Sequence, residues 1–534
     1  MLIDARLVDN GQQFECDLCV VGSGPAGIAI VDRLRNTHLK VLLVESGGFN
    51  LDLPTQKLYR GEVHGDDYFR LDACRWRLFG GTSARWGGWC RPMEADDYAQ
   101  RDWVPHSGWP ITAESLTPYH DAAAKLFELP NARFGLNDWA ARLPKSLPLE
   151  GAELQPIVFQ HSPETDFGET YRERVLAAVN VTTLIHANLT QIRLASGTQR
   201  VDSLDIATLN GKKFSVRPRA VVIAAGGIEN ARLLLASTAD RPSGLGNEHD
   251  MVGRCFMEHL HVPVGHMLAP QASNWDQTFF AKAVFDDVRL RGVLTPTADG
   301  LKRHRLLTTS IAIEKASFSY GTPFVGWPPP LTFRPVKFYR AKRRGRIGST
   351  VEYIKHTAER LEGIPRRLNT LRIARKAMRG VPSAQPSDRV FSLYFRAEQA
   401  PDWSNRITLL KAKDALGMPK TRLDWEVKPI DQASIASWLD VLDGTLRERG
   451  LGQVIPPKDG WQKQIIGGPH HMGTTRMSAD PKTGVVDQDC KVHSVDNLYI
   501  AGSSVFATSG YVNPTYTLVL LALRLADTLR LRLG

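Results

Sequence analysis

Apolar residues along this chain fall into short bunched runs separated by glycine-rich breaks, with helical spacing in between. Leu18–Val21 is an unbroken apolar run that meets Gly22-Ser-Gly24-Pro-Ala-Gly27; a helical pattern then continues through Leu34, and a second apolar run fills Val41–Val44. Four-residue apolar runs bounded by turn residues read as strands buried on both faces, and the 3.6-residue recurrence between them as a helix. The expected unit is strand, helix, strand. Ala220–Asn230 repeats the theme, with a buried strand, the doublet Gly226-Gly227 and a helix starting near Glu229. Leu498–Ala501 reads as a further short buried strand. Alternating patterns at Val181–Leu194, Val201–Val216, Phe391–Phe395 and Arg406–Leu410 predict half-buried strands. At Asn513-Pro514 the pattern predicts a helix, since Asn suits the N-cap and Pro the first helical position. Its apolar residues surround most of the circumference, so it is expected to be buried.

The first unit carries chemistry. Gly22 permits a tight turn, Gly24 lets backbone approach a pyrophosphate, and Gly27 lets helix and strand pack closely. The helix start then offers unpaired N–H groups and a positive dipole end to phosphates. Glu45 closes the second strand at the position where an acid accepts hydrogen bonds from ribose hydroxyls. That acid disfavours NADP, and the motif by itself leaves NAD and FAD both open.

Composition adds limits. A chain of 534 residues exceeds one simple core, so two domains or one interleaved body is expected. With 43% hydrophobic and 23% charged residues, it has the balance of a soluble globular protein. The opening MLIDARLVDNGQQ has two acids and no apolar core, unlike a secretory signal, and no apolar run reaches membrane-spanning length. Six scattered cysteines at 16, 19, 74, 90, 255 and 490 suggest neither a disulfide framework nor a zinc site, so a reducing cytoplasm is the default. The net charge of +11 is local: residues 334–380 hold fifteen Lys or Arg against three Glu. Apolar residues recur there at helical spacing from Ile354 to Met378, interrupted by Pro365. This basic amphipathic segment reads first as a solvated face docked on its own domain, and second as a contact for an anionic membrane or an acidic partner. Nucleic acid is discounted, for want of aromatic interleaving or a known module.

Near the end stands HHMGTTRM, His470–Met477. Adjacent histidines point to opposite faces of an extended segment and no third ligand follows at metal spacing, so a metal site is disfavoured. No strand-to-helix nucleophile elbow is present either. Acid–base work by a histidine, or a buried structural role, is what remains.

Phe79-Gly-Gly-Thr-Ser-Ala-Arg-Trp-Gly-Gly88 is a second glycine-rich loop, able to run along a flat ring. With this loop, the N-terminal unit, the Ala220–Asn230 turn, His-His-Met-Gly-Thr and the later Asn-Pro-Thr, the chain resembles the glucose–methanol–choline (GMC) oxidoreductases, FAD enzymes that oxidise alcohols. The likeness is to the pyranose-oxidase and sugar-dehydrogenase branch. The resemblance implies an α/β fold: a Rossmann-like FAD-binding domain with an interleaved α+β substrate domain built on a sheet. The FAD domain is expected from residues 1–109, 171–261 and 471–534, and the substrate domain from 110–170 and 262–470. Expected cofactor-binding positions are Gly22, Gly24, Gly27 and Glu45; Gly81, Thr82 and Ser83; and Gly226, Gly502, Pro514 and Thr515. In some relatives a histidine near Ser83–Trp86 tethers the flavin; Arg85 occupies that place, which implies non-covalent FAD. The family base is the first residue of H-x-x-G-T, here His470, and His471 is expected to face protein. Asn513 has two readings, a helix cap or the amide that binds the substrate oxygen beside His470. Glu398 and Gln399 are weaker substrate-facing candidates, with a solvated loop or sheet edge as the rival reading. Met257-Glu-His259 and His261 are expected to be structural.

The implied reaction is oxidation of a sugar or glycoside hydroxyl by hydride transfer to flavin N5, with oxygen, a quinone or a cytochrome as acceptor. Rival readings are a sterol or other non-sugar alcohol oxidoreductase, a hydroxynitrile lyase with redox-idle FAD, and a non-catalytic flavoprotein. A cytoplasmic location, with peripheral membrane contact through 334–380, completes the expectation.

Overall fold

The computed structural model describes residues 1–163, 165–271, 274–285, 288–315 and 389–534. The basic segment 334–380 lies outside the described residues.

The buried runs assemble into an eight-stranded, mainly parallel sheet. In spatial order the strands are Leu2–Asp4, Val181–Ile185, Val41–Val44, Gln13–Val21 and Lys213–Ile223, followed by the antiparallel pair Val201–Ala207 and Asn188–Leu194. Lys213–Ile223 is long enough to serve two neighbours on one edge. Lys213–Val216 pairs antiparallel with Leu204–Ala207, and Val221–Ile223 pairs parallel with Leu498–Ile500. The helix Pro25–Leu34 follows the central strand, and seven of its ten residues are buried. The C-terminal helix Pro514–Leu533 packs against it, with Arg33 paired to Asp527 at 2.9 Å on the rim. Both helices bury much of their circumference, as the apolar patterns demand.

A second sheet is antiparallel throughout. Its main path runs Gln453–Ile455, His259–Ala269, Arg389–Glu398, Thr309–Lys315, Val288–Pro296, Leu154–His161 and Trp89–Cys90. A small third sheet joins Arg406–Lys413 and Pro419–Trp425 to Glu62–Gly65. Two elements cross the domain limits expected from sequence. Trp89–Cys90, immediately after the second glycine loop, joins the antiparallel sheet, and Glu62–Gly65 pairs with a strand from the middle of the chain. Both pairings are non-local, so no local pattern announces them. The two layers share one continuous apolar core reaching from Leu18 to Leu529. No helix among the described residues is long and apolar enough to cross a membrane.

Candidate active site

Three glycine turns meet where the strands of the parallel sheet end. A Cβ on Gly27 would fall 1.9 Å from the Gly22 carbonyl oxygen, so only glycine lets helix and turn approach this closely. A Cβ on Gly24 or on Gly226 would meet nothing within 4 Å, whereas a Cβ on Gly81 would crowd the Gly24 Cα at 3.1 Å. The result is a groove walled by bare backbone. The helix starting at Pro25 has Gly24 at its N-cap with no side-chain cap, and the helix starting at Pro514 also has none. Helix starts inside a fold need partners for their first N–H groups. Two uncapped starts beside an open glycine groove suit a dinucleotide, with phosphates at one and ring carbonyls at the other. The donor set fits.

Other expected cofactor positions look different in detail. Glu45 is buried and accepts hydrogen bonds from Ser23 N (2.9 Å), Ser23 Oγ (2.6 Å), Gly47 N (2.7 Å) and Ser46 Oγ (3.2 Å). A ribose hydroxyl would therefore have to take the place of one of the serine hydroxyls. Ser83 Oγ donates to Gly80 O at 2.6 Å and accepts from Phe167 N at 3.1 Å, which commits the hydroxyl to shaping its own loop. Thr82 Oγ1 accepts from Trp76 N at 3.1 Å. Gly502 lies in the left-handed region, its Cβ direction clear to 3.9 Å; Pro514 is buried and Thr515 half-buried at the start of the last helix. Arg85 lies over the Trp76 ring at 4.7 Å.

The HHMGTT segment is knitted to the groove from both sides. The Thr474 hydroxyl donates to the Gly227 carbonyl, and Ser503 Oγ donates to the His471 carbonyl at 2.7 Å. The two histidines face apart. His471 faces protein, with Nε2 3.6 Å from Cys74 Sγ and 3.8 Å from Glu258 Oε1, beside Phe256 and Tyr68. Burial, reinforced by Arg75, pushes its pKa down to about 3.

His470 faces the other way, and its Nε2 lies 3.2 Å from Asn513 Nδ2. Asn513 occupies the N-cap position without capping through its side chain, so the amide is turned to the imidazole. Behind His470 stands His259, fully buried, with Nδ1 2.9 Å from His470 Nδ1. The tautomers follow from the partners. His259 Nε2 lies 3.1 Å from the Ser509 carbonyl, which can only accept, so this nitrogen carries the proton. His259 Nδ1 is then an acceptor, and His470 Nδ1–H donates to it. The lone pair of His470 is thereby fixed on Nε2, facing Asn513. Burial and the nearby His259, His261, Arg396 and His471 hold the His470 pKa well below the ordinary range. Glu258 accepts from His470 N (2.8 Å), Gly468 N (3.1 Å) and the Tyr68 hydroxyl, which pins the backbone that carries the imidazole. Burial raises the Glu258 pKa to about 7.

Sequence reasoning assigned His259 a structural role because nothing nearby paired it with chemistry; its partner lies 211 residues away. The available signal was the spacing of His259 and His261, two apart on a strand and so on one face. Glu398 and Gln399 require correction. Glu398 is fully buried, bridged by Arg101 Nη1 (2.8 Å) and Nη2 (2.5 Å) and held by Thr308 N at 2.9 Å. Gln399 Oε1 accepts from Glu258 N (3.0 Å) and Trp425 Nε1 (2.9 Å), and its Nε2 donates to Glu426 O (3.0 Å). Both brace the scaffold, with no polar capacity to spare for substrate. Among the described residues no three His, Cys, Asp or Glu side chains are placed to hold a metal ion.

The chain is similar to several known proteins. Residues 401–522 match the family model described as GMC oxidoreductase. The chain is 22% identical to 2-methyl-1,2-propanediol dehydrogenase of Mycolicibacterium austroafricanum, over 96% of this chain and 95% of that protein. It is 26% identical to the fructose dehydrogenase large subunit of Gluconobacter japonicus, over 62% of this chain and 50% of that one. Its fold is similar to the crystal structure of pyridoxine 4-oxidase from Mesorbium loti, with a TM-score of 0.55 and 15% identity over 96% of this chain and 99% of that one.

Proposed function

We propose that the chain is a GMC oxidoreductase that binds FAD without a covalent tether and oxidises a hydroxyl of a sugar or glycoside. The contact between His470 Nε2 and Asn513 Nδ2 carries this reading, because it places a proton acceptor and an amide donor side by side at the start of an uncapped helix.

Gly22, Gly24 and Gly27 would receive the pyrophosphate, Glu45 the ribose, and the starts of the 25–34 and 514–533 helices the charged and carbonyl ends of the cofactor. FAD bound there supplies a two-electron acceptor for the hydrogen on carbon. The protein supplies the proton chemistry. His470 Nε2, neutral across the physiological range because its pKa is depressed, takes the hydroxyl proton as the carbon loses hydride. Asn513 Nδ2 donates to the substrate oxygen and steadies it while it becomes a carbonyl. His259 holds His470 in the competent tautomer throughout. A sugar is favoured over other alcohols by the similarity to the fructose dehydrogenase large subunit.

The test is anaerobic titration of the FAD-loaded protein with sugars, glycosides and other alcohols, following the loss of flavin absorbance. Bleaching by a sugar is expected, and His470→Ala should slow bleaching about a hundredfold or more while FAD stays bound. No bleaching across a broad alcohol panel sinks the proposal, and substrate consumption with the flavin still oxidised points to lyase chemistry instead.

A further inference from the structure

One face of the antiparallel sheet gathers positive charge beside the catalytic imidazoles. His261 lies 5.9 Å from His470, ring to ring, and is the direct cross-strand partner of Arg396. Directly paired residues of antiparallel strands project to the same side, so the Arg396 side chain shares the face of His261. Its guanidinium lies 4.2 Å from the centre of the Trp89 ring, and that of Arg291 lies 4.9 Å from the same centre. His161, opposite Trp89 in the register, packs 4.7 Å from it. The whole group sits just past the second glycine loop, because Trp89 follows Gly87-Gly88 directly.

The charges do not balance. Arg291 is held by the Glu314 carboxylate and by Phe280 O at 3.1 Å. Arg396 makes no ion pair among the described residues; its guanidinium lies against the indole of Trp89, and the Glu314 carboxylate, paired to Arg291, acts on it only at longer range. A half-buried guanidinium keeps its proton under almost any condition, so it carries an unmet demand for an anion. Burial, with Arg291 next to it, pulls the Arg396 pKa down to about 10, and the Glu314 carboxylate offsets this only in part. His161 feels the same field: burial first, then Lys282, Arg291 and Arg396, push its pKa down to about 3.

We propose that Arg396 and Arg291, presented by Trp89, form a subsite for an oxyanion on the substrate, so that the preferred alcohol is a sugar acid or a sugar phosphate. The proposal rests on the alcohol-oxidising reading of His470 and names its substrate class. A neutral sugar would leave the Arg396 charge unmatched. A carboxylate or phosphate placed beyond His261, on the far side of the substrate ring from the reacting hydroxyl, would meet it with charge-assisted hydrogen bonds. A cationic aminosugar is disfavoured by the same field.

The experiment uses the FAD-loaded protein in two arms. In the first, glucose, methyl glucoside, glucuronate and glucose 6-phosphate are compared for anaerobic flavin bleaching. In the second, the same compounds and inorganic sulfate are titrated calorimetrically, which reads binding without turnover. Acidic sugars are expected to bind and to bleach at concentrations about ten- to a hundredfold lower than neutral ones, and glucuronate against glucose 6-phosphate decides between carboxylate and phosphate. Arg396→Gln should collapse that ratio through KM rather than kcat, and Arg396→Lys should restore part of it. Neutral sugars binding as tightly as acidic ones overturn the subsite, as does an Arg396→Gln variant that slows neutral and acidic substrates alike. Calorimetric binding of acids without any bleaching keeps the subsite and removes the oxidation reading, so the two ideas fail separately.

Discussion

Replacing His259 tests whether the imidazole pair works as a unit. His259→Leu removes the acceptor 2.9 Å from His470 Nδ1 and leaves that N–H without a partner in a buried place. An unsatisfied buried donor costs about 1–3 kcal/mol. The cost is relieved only if His470 moves its proton to Nε2, which destroys the lone pair that the substrate hydroxyl needs, or if the ring turns away. Either way the competent state is disfavoured by that energy, a loss of about 5- to 150-fold in the rate of flavin bleaching. His259→Asn separates chemistry from packing, because the amide oxygen can sit near the position of Nδ1 and accept from His470, while the bond to Ser509 is given up. Stopped-flow bleaching with a saturating alcohol is the assay, and flavin content per chain is the control for folding. The expected order is parent, His259→Asn, then His259→Leu, with the Asn variant recovering most of the loss. Equal rates for the two variants would mean that His259 acts only by filling space; a His259→Leu rate equal to that of the parent would remove it from the mechanism altogether.

Two further outcomes follow from the same geometry. Gly24→Ala meets nothing within 4 Å, so it should fold with an unchanged melting temperature yet purify with much less flavin, whereas Gly27→Ala collides with the Gly22 carbonyl and should lower both; retention of full flavin by Gly24→Ala would move the pyrophosphate elsewhere. The depressed pKa of His470 means that the base stays unprotonated as the pH falls through the ordinary histidine range, so kcat/KM for the alcohol should hold level down through pH 6.5 and decline only well below it; an acid limb at or above 6.5 contradicts this.

Local patterns foretold the strand–helix–strand unit, the buried C-terminal helix and the strands around Phe391 and Arg406, because periodicity and punctuation act within a few residues. The meeting of His470 with Asn513 was legible only through the resemblance to a family. What stayed hidden depends on register between distant strands. His259 reaches His470 because the strand beginning at residue 259 enters the antiparallel sheet with Met257 bridged to Met472, and no spacing along the chain encodes that. Glu398 and Gln399 misled for the opposite reason. Polar residues at a strand end look available, and only the fold reveals that Arg101 and Trp425 have already claimed them.

The strand Leu498–Ile500 lies against Val221–Ile223 in the middle of the parallel sheet, although strands of the other layer, from His259–Ala269 to Gln453–Ile455, are synthesised in between. During translation, Val221–Ile223 would present an open hydrogen-bonding edge until Leu498–Ile500 is made. Capture of the proposed FAD would then be a late event in biogenesis. Any lesion that cuts the chain before residue 498 would leave a sticky, unfinished sheet for the chaperones rather than a smaller working enzyme.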